Sequence, residues 1–155
     1  MKIFPKNDYS IELNNDSASA ILDLKNRTLS KKQFVANWDN QTFIGEIQEN
    51  KFEIKLSKKL FGEFCVLNGK LENGKGILEI RTGKIFKMIF VAIILFILSG
   101  IILSIIQNKT ELIIQLIISI LVMRYIFLVL GFRIVSKIAL NKLTEIIEIK
   151  KINVA

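Results

Sequence analysis

"MIFVAIILFILSGIILSIIQNKTELIIQLIISILVMRYIFLVLGF", residues 88 to 132, decides how this chain is built. Its first 19 residues, Met88 to Ile106, carry no charge. At ~1.5 Å of rise per residue, a helix of that length is close to the ~30 Å of a bilayer's hydrocarbon core. A short polar break, "QNKTE", follows. Leu112 to Phe132 is then a second apolar run of 21 residues, interrupted only by Gln115, Ser119 and Arg124. Both runs exceed the ~18-residue threshold for a membrane span. So short a break between two spans predicts an antiparallel helical hairpin.

Working outward, the rest of the chain is ordinary in composition. Hydrophobic residues make up 51% of the sequence, and the excess lies in this one stretch. Three parts result: a domain over residues 1–84, the hairpin over 85–132 (spans 88–106 and 112–132), and a tail over 133–155. Net charge is +8, and it sits on both sides of the hairpin. Residues 1–87 hold 15 Lys/Arg against 11 Asp/Glu, and the tail holds 5 against 2. Next to two spans, anionic lipid headgroups are a simpler partner for this charge than nucleic acid. Arg81, Lys84 and Lys87 flank the first span, and Arg133 and Lys137 flank the second. The connecting loop has only Lys109, beside Glu111. The positive-inside rule then puts both termini in the cytoplasm and the loop outside, with Lys84, Lys87, Arg133 and Lys137 at the lipid headgroups. The first 20 residues contain no continuous apolar run of signal-peptide type. Cys65 is the one cysteine, so no intrachain disulfide forms, which fits a reducing compartment.

A hairpin turn centred near Lys109 and Thr110 opposes Gly100 to Ser119 and Ser104 to Gln115. Gly100 and Ser104 are four residues apart and share a face of the first helix, and Gln115 and Ser119 are likewise four apart on the second. Small residues let the backbones approach, and hydroxyls and an amide can bond across, each worth ~0.6–2 kcal/mol. Arg124 lies nine residues from Gln115, half a turn off that face, so it is expected to point away from the seam. Neither span holds an Asp or Glu to pair with it. A mid-span arginine costs ~2.5–3.5 kcal/mol on insertion scales and is a functional candidate by default. Two readings stay open: it snorkels toward the cytoplasm, or it meets a second protein chain or a wet path.

In the N-terminal part, "YSIEL" (Tyr9 to Leu13) alternates like a strand. Asp16 or Ser17 can cap a helix whose apolar face holds Ala18, Ile21, Leu22, Leu24 and Leu29. "FVANW" (Phe34 to Trp38) reads as a strand, with Trp38 as a core or domain-edge anchor. "TFIGEI" and "KFEIKL" form a hairpin, with Phe52, Ile54 and Leu56 on one face. "GEFCVLNGKLE" and "KGILEIR" flank Asn73-Gly74, a strong type I′ hairpin signal because both central residues need positive φ. Asn68-Gly69 is expected to mark a bulge or a bend. The fold class is α+β: a strand, a helix, then four or five more strands, making an antiparallel sheet with one helix on one face, plus the two-helix transmembrane hairpin and a C-terminal amphipathic helix. In that tail Val135, Ile138, Ala139, Leu143, Ile146 and Ile147 share a helical face. It lies in the membrane interface or folds back on the open face of the sheet. The final ten residues also alternate enough to pass for a strand.

"FIGEIQENKFEIKL", then "FCVLNGKLENGKGILEI" and a double span, resembles a family of small uncharacterised bacterial membrane proteins. The matching positions are Phe43, Gly45, Ile47, Phe52, Ile54, Gly69, Leu71 and Ile80, and the resemblance covers roughly residues 43–132. A His-Pro-Phe stretch common before that family's first span is replaced by "KIFKMIF". The resemblance implies a multi-pass protein of a bacterial cytoplasmic membrane and carries no chemistry with it.

The residue types argue against catalysis. With no histidine there is no Ser-His or Cys-His pair and no His metal ligand. One cysteine builds no thiolate cluster, and phosphate-binding glycine motifs are missing. The acids Asp8, Asp16, Asp23, Asp39, Glu46, Glu49, Glu53 and Glu79 are scattered. No catalytic, metal or cofactor site is expected. Two non-enzymatic functions remain. One is a membrane-tethered binding or scaffold module. The other is a hairpin that forms a homo-oligomer or packs on another membrane protein, as a pore-type effector or an immunity-type partner would.

Overall fold

The computed structural model describes residues 4–30, 41–57 and 62–154. The "FVANW" strand, Trp38, Asp39, Lys58 and Lys59 lie outside them. Strand β1 (Lys6–Leu13) leads to helix α1 (Ser17–Asn26), then β2 (Thr28–Ser30), β3 (Phe43–Gln48), β4 (Lys51–Leu56), β5 (Cys65–Glu72) and β6 (Lys75–Thr82). Helix α2 (Lys84–Ile106) follows, then one continuous helix, α3 (Thr110–Ile147), and finally strand β7 (Ile149–Val154). The seven strands form one sheet in the order β2-β3-β4-β5-β6-β1-β7.

The sheet is mixed, because β2 runs parallel to β3 while every other neighbour pair is antiparallel. Among the described residues its two edge strands are β2, which alternation did not suggest, and β7, where the tail's alternation left a strand open. Asp16 caps α1 by accepting from the Ala18 N–H at 3.3 Å. That helix buries Ala20 and Leu24 and leaves Ala18 and Leu22 outside. Its inner face is therefore the Ala20/Leu24 stripe, with Ile21 packed at its margin. Leu29 belongs to β2, past the helix end.

Asn73 and Gly74 turn between β5 and β6 with φ of 49° and 73°, as a type I′ turn requires. Asn68-Gly69 does neither of the things expected of it. The β4–β5 and β5–β6 registers run through it unbroken. Gly69 is there because the ring of Phe52 lies across it: a Cβ would sit 2.2 Å from Phe52 Cζ.

One face of the sheet is apolar and covered. Ile11, Phe43, Phe52, Ile54, Leu67, Leu78 and Ile80 pack against α1 and against the last part of α3, Gly131–Ile147. From that part come Phe132, Val135, Ala139, Leu143 and Ile147, all buried and spaced three or four apart. Two helices cover the sheet, not one. The tail thus joins the domain core as a helix, and its last residues pair with β1 as a strand. The choice left open by its periodicity falls on folding back, because its apolar stripe is long enough to close the sheet face. Ile138, expected on that stripe, is exposed.

The other sheet face is a lattice of charge. Arg81 reaches Glu53 at 3.2 Å, and Lys6 reaches Glu79 at 2.8 Å and Asp8 at 3.2 Å. Asn68 bridges Glu53 and Arg81 once its amide is oriented to satisfy both. These pairs are exposed, so each contributes little to stability.

Candidate functional site

Both apolar helices are long enough to cross a membrane, and their surfaces are mostly uncovered within the molecule. α2 starts directly after β6. Gly83 sits against Glu63, where a Cβ would lie 2.1 Å from the Glu63 carbonyl oxygen, and its N–H donates to the Phe64 carbonyl at 3.1 Å. Phe64 stacks on Phe86 with ring centroids 4.2 Å apart, and Phe4 meets Phe90 edge-on at 5.9 Å. Gly131 of α3 abuts Phe64, at 2.9 Å from a built Cβ to Cε1. This phenylalanine cluster ties the end of the sheet to the first turns of α2 and to the middle of α3. Sequence reasoning missed it, although 11 phenylalanines against 1 tryptophan and 2 tyrosines was a usable signal.

The basic residues cluster at the same level. Lys87 places its Nζ 5.3 Å from the Phe4 ring centroid, a cation–π contact. Lys84 is exposed and, with Ile85, Lys55 and Glu63, lines a shallow cavity of about 150 Å³. Lys55 and Glu63 are ion-paired there. Arg133 and Lys137 point outward from α3 just after Gly131.

The hairpin seam differs from its expected register. The turn residue Asn108 has φ 54°, so the chain reverses there, slightly before Lys109 and Thr110. Gly100 accordingly faces Leu116, with 3.4 Å from a built Cβ to its side chain, and not Ser119. Gln115 and Ser119 lie on the exposed side of α3, while Ile113, Leu116 and Ile120 are the half-covered positions. The hydroxyls do not bond across the seam. Ser104 donates to the Gly100 carbonyl at 2.8 Å, and Ser119 donates to the Gln115 carbonyl at 2.9 Å. Small residues still mark the seam on α2, where Ser104 is buried.

That shift relocates Arg124. It is half-buried and continues the four-residue spacing of Leu116 and Ile120, with Leu128, 1% exposed, following it. Arg124 therefore lies on the same side of α3 as Leu116 and Ile120, not opposite to it. It also lies inside a π-helical stretch, Met123–Leu130, a wider turn that recurs at functional sites. Among the described residues no acidic side chain forms an ion pair with it. Cys65 is fully buried, and burial pushes its thiol up to about 12. Such a thiol is protonated and unreactive. Comparisons with protein-family models, with curated proteins and with solved structures return no match for the chain.

Proposed function

We propose that the protein is a non-enzymatic, integral membrane module for binding or scaffolding, with its β-rich domain held on the cytoplasmic face of a bacterial inner membrane. The observation that supports this best is the division of α3. Up to Leu130 most of its apolar side chains are exposed, while from Phe132 onward its apolar stripe is buried in the sheet core. An apolar surface that large is unstable in water and stable in lipid. The 38 residues of α3 extend ~57 Å, about twice a hydrocarbon core, so one helix serves both the bilayer and the domain. With Lys84, Lys87 and Arg133 close to the phenylalanine cluster and Lys137 a turn further along α3, the domain rests against anionic headgroups, each basic residue near such a surface adding about 1 kcal/mol.

Cysteine labelling tests the arrangement. In a Cys65→Ala background, Lys109→Cys should react with a membrane-impermeant maleimide on intact cells. Asn50→Cys should react only after permeabilisation. The reverse pattern overturns the orientation, and release of the protein by alkaline carbonate overturns the membrane anchorage.

The second reading, a hairpin that assembles in the membrane with another copy or another protein, is favoured by a single observation: an arginine inside the apolar stretch that the hairpin itself does not pair.

A further inference from the structure

Resting on the reading of α2 and α3 as spans, the surroundings of Arg124 specify its partner. Gly131 abuts Phe64, and Phe64 stacks on Phe86, so Gly131 marks the level at which α2 enters the bilayer. Arg124 lies seven residues deeper, about 10 Å, and about 21 Å from Thr110 at the other end. Its cation is inside the hydrocarbon. Helical side chains lean toward the helix N-terminus, which for α3 is the Asn108 turn on the far side. Snorkelling toward the nearer level of Lys84 and Lys87 runs against that lean, so the guanidinium is carried toward the bilayer centre.

The chain has no anion to offer there. Residues 85–132 hold one acid, Glu111, at the outer end of α3. A second copy would bring another arginine to the same depth and Glu111 two-thirds of the span away. Self-association would therefore set like charges together in a medium that scarcely screens them. Arg124 is partly covered and partly open, and the π-helical stretch widens the turn that carries it. A guanidinium presents paired donors that match a carboxylate bidentately.

We infer that Arg124 is the docking point for a carboxylate carried in the membrane span of a different protein, paired with it near mid-bilayer on the open flank of the hairpin.

The test uses the full chain co-expressed with a model single-span helix of leucines bearing one Asp at its midpoint. A matched helix with Leu at that position is the control, and association is read by energy transfer between fluorescent fusions. The wild-type protein should associate with the Asp helix and not with the Leu helix. Arg124→Leu should lose the association, and Arg124→Lys should keep part of it. Equal association with both helices, none with either, or full association by Arg124→Leu overturns the inference. So does Arg124-dependent crosslinking of the protein to itself, or anionic phospholipid that co-purifies with wild type but not with Arg124→Leu. Each variant is checked for resistance to carbonate extraction. Extraction of the wild type would sink the membrane reading itself, whereas a membrane-embedded protein that ignores the Asp helix sinks only the pairing.

Discussion

Two residues show how little room the domain core leaves. Gly69 is needed for space and not for a turn, since Phe52 occupies the volume of its missing Cβ. Gly69→Ala should cost about 1–3 kcal/mol, the range for overpacking, and Phe52→Leu in the same chain should recover part of that loss. Chemical denaturation of the detergent-solubilised protein measures both. An Asn-Gly pair reads as a turn because the signal reports backbone freedom; a ring lying over it from the next strand is invisible until strands are paired. Cys65 gives a pH prediction. Its thiol ordinarily titrates near 9.0 and in the fold near about 12. Below 9 both states are protonated and the thiol adds no pH dependence. Between those values only the unfolded chain loses the proton, so stability falls as pH rises, by about 1.4 kcal/mol per unit at most. Cys65→Ala should flatten that part of the stability–pH curve. In the wild type, maleimide should stay unreactive at neutral pH until the protein unfolds.

Among the elements, α2 and α3 were the most legible, because uninterrupted apolar length needs no partner to be read. Their mutual register was not. It depended on where the chain reverses, and the positive φ of Asn108 moved that point by enough to exchange Ser119 for Leu116 opposite Gly100. One consequence is that Arg124 changed sides. Disulfide trapping distinguishes the two registers in a Cys65→Ala background. Gly100→Cys with Leu116→Cys should crosslink on mild oxidation, and Gly100→Cys with Ser119→Cys should crosslink far less, given the narrow Cβ separation that a disulfide demands. The C-terminal part of α3 was ambiguous for a different reason. An amphipathic stripe states that something apolar covers it, and a lipid surface and a sheet face satisfy that equally. β2 and β7 were missed or left open because edge strands carry weak alternation and are held by backbone pairing, to which side-chain pattern is nearly blind.

At the scale of the whole molecule, segments far apart in the chain share one core. Phe132, Val135, Ala139, Leu143 and Ile147 arrive in the last part of α3 and fill the layer that Ile11, Leu67 and Leu78 open. Leu143→Ala should cost about 2–5 kcal/mol, as deeply buried leucines do. Deleting residues 133–155 should leave residues 4–82 without a closed core. Limited proteolysis of membranes should then degrade the domain where the intact protein resists.

The pairing of β7 with β1 joins the last strand of the sheet to the first. Everything between them, α2 and α3 included, has to be made before that ladder can form. During synthesis the early strands therefore emerge with their apolar face bare, and they stay so until the end of α3 has been made. Closure of the domain therefore comes last, after both apolar helices have been made. A chain that stops short of the end of α3 exposes a half-built sheet.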